Sequence, residues 1–158
     1  MIMENELQAT ELLQVAEVEL VYRNFVKPSQ RPRVSSSGTA YRYFLQTWEE
    51  GQLELAEHFK IMLLNRCGRI LGIMKLSAGG VSGTIVDPKL VFAAALKANA
   101  SALILAHNHP SGNLNPSQPD LCLTRKLIAA GQLLDIGIND HLVITAEGYY
   151  SFADEGVL

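Results

Sequence analysis

The sequence predicts an α/β domain in which a mixed β-sheet is flanked by helices. Three observations lead there. Segments with the strand period of two, over residues 57–64, 69–76 and 142–145, interleave with segments of helical period over 88–99 and 117–134. A short apolar run over 101–106 reads as a buried strand. That run delivers His107 and His109 at its carboxyl end, where α/β sheets tend to place their chemistry. With 158 residues and 48% hydrophobic content, the chain can bury one substantial core, and a second full domain is not expected.

Taken in order, residues 1–13 carry no clear pattern. Val18, Leu20 and Tyr22 then alternate with Glu17, Glu19, Val21 and Arg23, as in a half-buried edge strand. Lys27, Arg31 and Arg33 lie in a proline-interrupted loop over 27–33, read as a solvated connector in preference to a phosphate contact. Residues 1–34 thus form an extension, and 35–158 the domain proper. Ser35, Ser36 and Ser37 offer caps for a helix with Tyr41, Phe44, Leu45 and Trp48 on one face, a spacing that favours core packing over an exposed base-stacking platform. After the polar break at Glu49 to Gln52 comes a strand over 57–64. Asn65, Arg66, Cys67 and Gly68 suit a hairpin turn into the strand over 69–76. A third strand is expected over 81–86.

Asp87 and Pro88 make an N-cap and first helical residue for 88–99, whose apolar run from Leu90 to Leu96 predicts burial on more than one side. Ser117 caps a second long helix reaching about 134, with Leu123, Leu127, Ala130 and Leu134 on its stripe and Cys122 expected in the core. His141 opens the strand over 142–145, and Gly148 turns the chain into 149–152.

Successive side chains of an extended chain alternate, so His107 and His109 project to one side and Asn108 to the other. Pro110 keeps His109 extended. Ser111, Gly112, Asn113 and Asn115 reverse the chain, which brings Asp120, in the first turn after Ser117, near the strand end. Two imidazoles and one carboxylate are the three-ligand set of a catalytic zinc site with its fourth position open. Ser117 and Asp120 also satisfy a capping box, and the two readings are compatible.

The formal charge of −3 argues against an extensive phosphate-binding surface. Cys67 and Cys122 lack the spacing of a cysteine metal site or a disulfide framework, which fits a reducing cytoplasm. Glu4 and Glu6 stand where a signal peptide needs positive charge, and no run is long enough to span a membrane.

His107, Asn108, His109 and Pro110, followed by Ser117 and Asp120, resemble the JAMM signature of the JAB/MPN metallopeptidases. The flanking Ser111, Gly112, Pro116, Gly83, Thr84, Asp140 and His141 resemble its RadC-like branch, over about 50–155. The resemblance implies a three-layer fold related to that of the zinc deaminases, whose His-x-Glu and Pro-Cys-x-x-Cys are absent here. It implies Zn2+ on His107, His109 and Asp120, and a water whose pKa falls to about 7 on the metal. Glu57 would act as general base, with Glu54 in the connector as its competitor, and Ser117 would stabilise the oxyanion. The implied reaction is hydrolysis of an amide in a peptide or isopeptide substrate.

Asn108 departs from the Ser or Thr of the deubiquitinating relatives, which leaves the substrate open. His141 supports a ligand or touches substrate in one reading and is bonded only to backbone in the other. The rival function is a DNA-associated accessory protein with an idle or structural metal. RadC-like proteins often carry a helix-hairpin-helix region for which this chain has no room, so nucleic-acid binding is expected to be weak or absent. A magnesium-dependent nuclease fits the ligand set less well.

Overall fold

The computed structural model describes residues 22–79 and 85–158. The edge strand expected from Val15 and the strand expected over 81–86 lie largely outside these residues. Ile85 and Val86 are described, in irregular chain. Helix α1 (Ser37–Thr47) begins where Ser36 Oγ accepts the Thr39 N–H at 3.1 Å, so the middle of the three candidate serines is the cap. It buries Ala40 and Phe44, with Trp48 at its C-cap. The aromatic face is core packing: burying a ring such as Phe44 contributes about 2–3 kcal/mol.

Strands β1 (His58–Leu64) and β2 (Ile70–Ala78) form the expected hairpin. Asn65 Oδ1 accepts the N–H groups of Cys67 and Arg69, and Gly68 takes the left-handed conformation that the turn requires. The basic loop is less free than a solvated connector. Pro28–Gln30 is a 3-10 turn, Val34 N–H bonds the Gly68 carbonyl and Ile70 N–H bonds Pro32, so this segment is stitched to the edge of β2.

Helix α2 (Pro88–Lys97) is capped by Asp87 as expected, but its burial is one-sided. Val91, Phe92 and Ala95 face the core, while Leu90 and Leu96 are exposed. Strand β3 (Ala102–Asn108) follows, then helix α3 (Gln118–Leu133), strand β4 (Gly137–Ile144) and strand β5 (Tyr149–Ser151).

On α3 the buried line is Thr124, Leu127 and Gly131, and two expectations fail there. Cys122 is exposed, because two residues at about 100° each turn it to the side opposite Thr124. Leu134 is exposed because it lies at the C-cap, past the last helical turn. His141 is not at a strand start but inside β4, which begins well before the expected 142.

The sheet order is β2-β1-β3-β4-β5, with β3 and β4 parallel and every other pair antiparallel. It is therefore mixed, as predicted, and α3 supplies the crossover that a parallel pair needs. All seven residues of β1 are buried, because both faces of the sheet are covered. Phe59, Ile61, Leu63, Leu103 and Leu105 pack with Val91, Phe92, Ala95 and Leu127 of α2 and α3. Met62, Leu64, Ile104, Ala106, Leu142 and Ile144 pack with Ala40, Phe44 and Trp48 on the α1 side. Three layers result: helix, sheet, helices. No helix among the described residues is long and apolar enough to cross a membrane.

Candidate metal centre

The carboxyl end of β3 is held on both sides. His107 stands in register with Phe59 of β1 and Val143 of β4, and the His109 N–H reaches the Ile144 carbonyl at 3.0 Å, so the extended chain runs on past the last strand residue. The alternation then sends His107 toward the α2 and α3 layer, the same side as Leu103 and Leu105. Beyond Pro110 the chain turns tightly, with Gly112 at φ +82° and its N–H on the His109 carbonyl.

At the start of α3, Ser117 and Asp120 form the capping box. Asp120 Oδ2 accepts the Ser117 N–H at 2.7 Å, and Ser117 Oγ accepts the Asp120 N–H at 3.2 Å. The same Oδ2 faces both histidines, 3.4 Å from His107 Nε2 and 3.6 Å from His109 Nε2, and the two Nε2 atoms are 3.0 Å apart. Ligands at about 2.0–2.1 Å from a tetrahedral zinc are separated by about 3.3–3.4 Å. The triangle already present has nearly those edges.

The hydrogen bonds behind the histidines determine which nitrogens carry protons. Thr124 Oγ1 donates to the Asp120 carbonyl at 2.7 Å, which spends its only hydrogen, so its 2.6 Å bond with His141 must be donated by His141 Nδ1. His141 Nε2 is then a bare acceptor, and the 2.8 Å bond to His107 must come from His107 Nδ1–H. In the neutral ring His107 then keeps its lone pair on Nε2. His109 reaches the same state by a shorter route: its Nδ1 lies 2.6 Å from the Asn113 carbonyl, which can only accept, so Nδ1 carries a proton and the neutral ring keeps its lone pair on Nε2. Both histidines therefore offer Nε2 to a common point, each oriented by a bond at its other nitrogen.

The electrostatics favour positive charge at this point, which either a histidine proton or a metal ion can supply. Burial alone would raise Asp120, but hydrogen bonds from His107 and His109 outweigh it and hold the carboxyl well below the carboxylate range. His109 is raised, chiefly by its bond to Asp120. His141, fully buried between Phe59 and Phe152, is pushed well below the ordinary histidine value by burial and then by His107, so it stays neutral as the relay requires.

Glu57 is half-buried and immediately precedes β1, its carbonyl accepting the Gly79 N–H at 2.7 Å. Burial raises its pKa, His107 and His109 oppose that rise, and Asp120 adds to it. Glu57 therefore lies within the fields of the three ligand candidates. Glu54 is exposed on the wall of an open cavity of about 490 Å³ that His109, Leu114, Thr145 and Glu147 also line. Among the described residues, His107, His109 and Asp120 are the His, Cys, Asp or Glu group whose ligand atoms converge as a metal requires.

Sequence reasoning missed two buried residues at this end of the sheet. Thr124 lies one helical turn after Asp120, a spacing that could have singled it out. Asn108 stands out in the sequence only as a departure from the Ser or Thr of the deubiquitinating relatives, and its bonds to Leu53, Ala56 and His58 have no local signal.

The family model described as "RadC-like JAB domain" matches residues 34–157. A UPF0758 protein of Flavobacterium johnsoniae is 52% identical over 101 residues, which cover 64% of this chain and 44% of that protein. The Escherichia coli UPF0758 protein YfjY is 45% identical over 102 residues, covering 65% of this chain and 64% of its own length. A UPF0758 protein of Syntrophotalea carbinolica is 35% identical over 162 aligned positions, covering 98% of this chain and 70% of that protein. The chain spans less than half the length of several such relatives, 44% and 45% for the Flavobacterium and Porphyromonas proteins.

Proposed function

Because the chain belongs to the RadC-like JAB domain family, we propose that it is a zinc-dependent amide hydrolase of the JAMM type, with His107, His109 and Asp120 as the metal ligands. The observation that carries this reading is the convergence of two histidine Nε2 atoms and Asp120 Oδ2 with edges of 3.0, 3.4 and 3.6 Å. Zinc bound there would act as a Lewis acid toward a carbonyl and lower the pKa of water.

The chain's own residues supply the rest. Glu57, its pKa raised by burial, takes the proton of the attacking water and returns it to the departing amine, a role worth about 10²–10⁴ in rate. Ser117 Oγ accepts the Asp120 N–H with a lone pair and keeps its own proton to donate toward the developing oxyanion, worth about 3 kcal/mol. The open cavity beside His109 supports a peptide or isopeptide as the proposed substrate. The two free, exposed cysteines fit a reducing cytoplasmic setting.

The DNA-associated reading has only the basic segment 27–33 behind it. Three cations are a small footprint on a chain of net charge −3, so weak or no nucleic-acid binding belongs to the same proposal.

Two variants test the assignment. His107→Ala removes one of three protein ligands, so zinc content measured by elemental analysis should collapse, and turnover of an isopeptide or peptide-library substrate with it. Glu57→Gln should retain zinc and lose at least about 10²-fold in turnover. Loss of zinc from Glu57→Gln would make Glu57 a ligand, and full activity would place the base elsewhere.

A further inference from the structure

Asn108 stands between the two histidines in sequence, but the alternation of β3 turns it to the opposite face, toward Ile104 and Ala106. It is fully buried, with 0% exposure. A primary amide in an apolar layer is costly unless its hydrogen bonds are made, so their destination matters. All of them go to one segment. Nδ2 donates to the Leu53 carbonyl at 2.8 Å and to the Ala56 carbonyl at 2.9 Å, and Oδ1 accepts the His58 N–H at 2.7 Å.

These three anchors bracket Glu57. The backbone bonds within Glu49 to Ala56 are local turns, from Gln52 to Glu49 and from Leu55 and Ala56 to Gln52, while Glu49 at the start pairs with Lys60 and Lys75 and Leu53 packs on the α1-side core. Local turns of this kind set the shape of a loop but not its distance from another element. Asn108 supplies that distance, because the amide is rigidly attached to the residue between the two ligand histidines. A hydroxyl side chain, with one hydrogen, could not bridge both carbonyls.

We infer that Asn108 is the positioning residue of the general base: its amide locks residues 53–58 to the end of β3, so that Glu57 and the histidine ligands keep one fixed relative placement. The inference rests on the zinc hydrolase reading for the role of Glu57, but the lock itself is a separate statement. Asn108 does not face the ligand point. Its effect should therefore fall on proton transfer and leave metal binding intact.

The test uses the full chain with Co2+ as the probe metal. Asn108→Ala should bind one Co2+ with affinity within about threefold of wild type, because the bonds that orient His107 and His109 are untouched. Its amides over 53–58 should exchange at least about tenfold faster. The pH midpoint of the cobalt absorption change should move in the same direction as in Glu57→Gln. On a peptide-library substrate, kcat should fall by about 10–100-fold with KM nearly unchanged, as expected for a displaced catalytic group.

Asn108→Asp keeps the shape and the acceptor while losing both donors, and should show the same signature if Asn108→Ala does not fold. Ile104→Ala, on the same face of the same strand, controls for general loss of stability and should leave exchange over 53–58 and the cobalt midpoint unchanged. Wild-type protection over 53–58 together with a wild-type cobalt spectrum in both Asn108 variants would overturn the inference. Failure of the wild-type protein to bind Co2+ would overturn the zinc reading instead, and the exchange comparison would still decide the lock.

Discussion

Replacing Thr124 with Val keeps the shape of a side chain that is only 2% exposed and removes a single hydroxyl. That hydroxyl accepts from His141 Nδ1 at 2.6 Å, and His141 in turn accepts from His107 at 2.8 Å. In Thr124→Val, His141 has two ways to respond. It can keep its proton on Nδ1, unpaired in a fully buried place, at a cost of about 1–3 kcal/mol. Otherwise it moves the proton to Nε2, which forces His107 Nδ1 to become the acceptor and puts the His107 proton on Nε2, aimed at the ligand point. The second response spares the fold and burdens the metal, since the ligand must change tautomer before it can bind.

The first response costs the free and metal-bound protein alike. The second, which avoids a buried unpaired N–H in the free protein, is therefore the expected one, and there only the metal-bound state, which needs His107 Nε2 bare, carries the cost. Zinc affinity should therefore fall about 10–100-fold, or about 1.4–2.8 kcal/mol, the range known for lost partners of metal-binding histidines. Competition against a chromophoric zinc chelator measures it, and Thr124→Ser, which restores the hydroxyl, should return affinity to within about threefold of wild type. Equal zinc affinity of folded Thr124→Val and wild type would refute the tautomer chain.

Two further predictions concern the fold. A Cβ on Gly131 would clash with the Ile136 carbonyl oxygen, a backbone atom held close because the Gly131 carbonyl accepts the Leu134 and Ile136 N–H groups, so Gly131→Ala should lower stability in urea by about 1–3 kcal/mol. The Glu49 carboxylate bonds Lys75 at 2.8 Å and pairs with the buried Lys60 at 3.2 Å, and these cations, Lys75 first, hold it at about 2 instead of 4.5. A depressed acid stabilises the fold above its unfolded value, and that contribution is lost as pH falls through the folded one. Between pH 4.5 and 2, the stability advantage of wild type over Glu49→Gln should shrink by about 1 kcal/mol, a figure reduced for the exposed carboxylate. Denaturant unfolding of both proteins across that interval measures the difference, and parallel pH curves would rule the ion pairs out.

What could be read from the sequence was what local patterns encode. The end of β3 was legible because an apolar run, the alternation of His107 and His109, and Pro110 all act within a few residues. The start of α3 was legible because Ser117 and Asp120 cap it by themselves. The start of β4 was not, since Asn139 and Asp140 have the composition of a turn. Asp140 is nonetheless buried, because Ser151 Oγ, the His141 N–H and the Ala153 N–H all come to its carboxylate from a fold already formed. The exposure of Leu90 and Leu96 on α2 was hidden for the opposite reason: an apolar composition states what can be buried, not how many neighbours arrive to bury it.

The candidate site follows the same division. Its ligands are adjacent in sequence or capped locally, and so they announce themselves. Its supports come from far away: Thr124 meets His141 across 17 residues, and Asn108 meets residues 53–58 across 50 or more. Both supports act through β3, whose two faces carry different tasks. On the α2 and α3 side, His107 is set by the relay through His141 to Thr124, which fixes the lone pair offered to a metal. On the α1 side, Asn108 fixes the segment that bears Glu57. A strand with both faces buried can do this because neither side chain has solvent as an alternative partner. Shifting β3 by one residue would exchange the two faces, placing His107 among the α1-side residues and Asn108 beside His141. The register that pairs His107 with Phe59 and Val143 therefore sets both the proposed ligand and the proposed base.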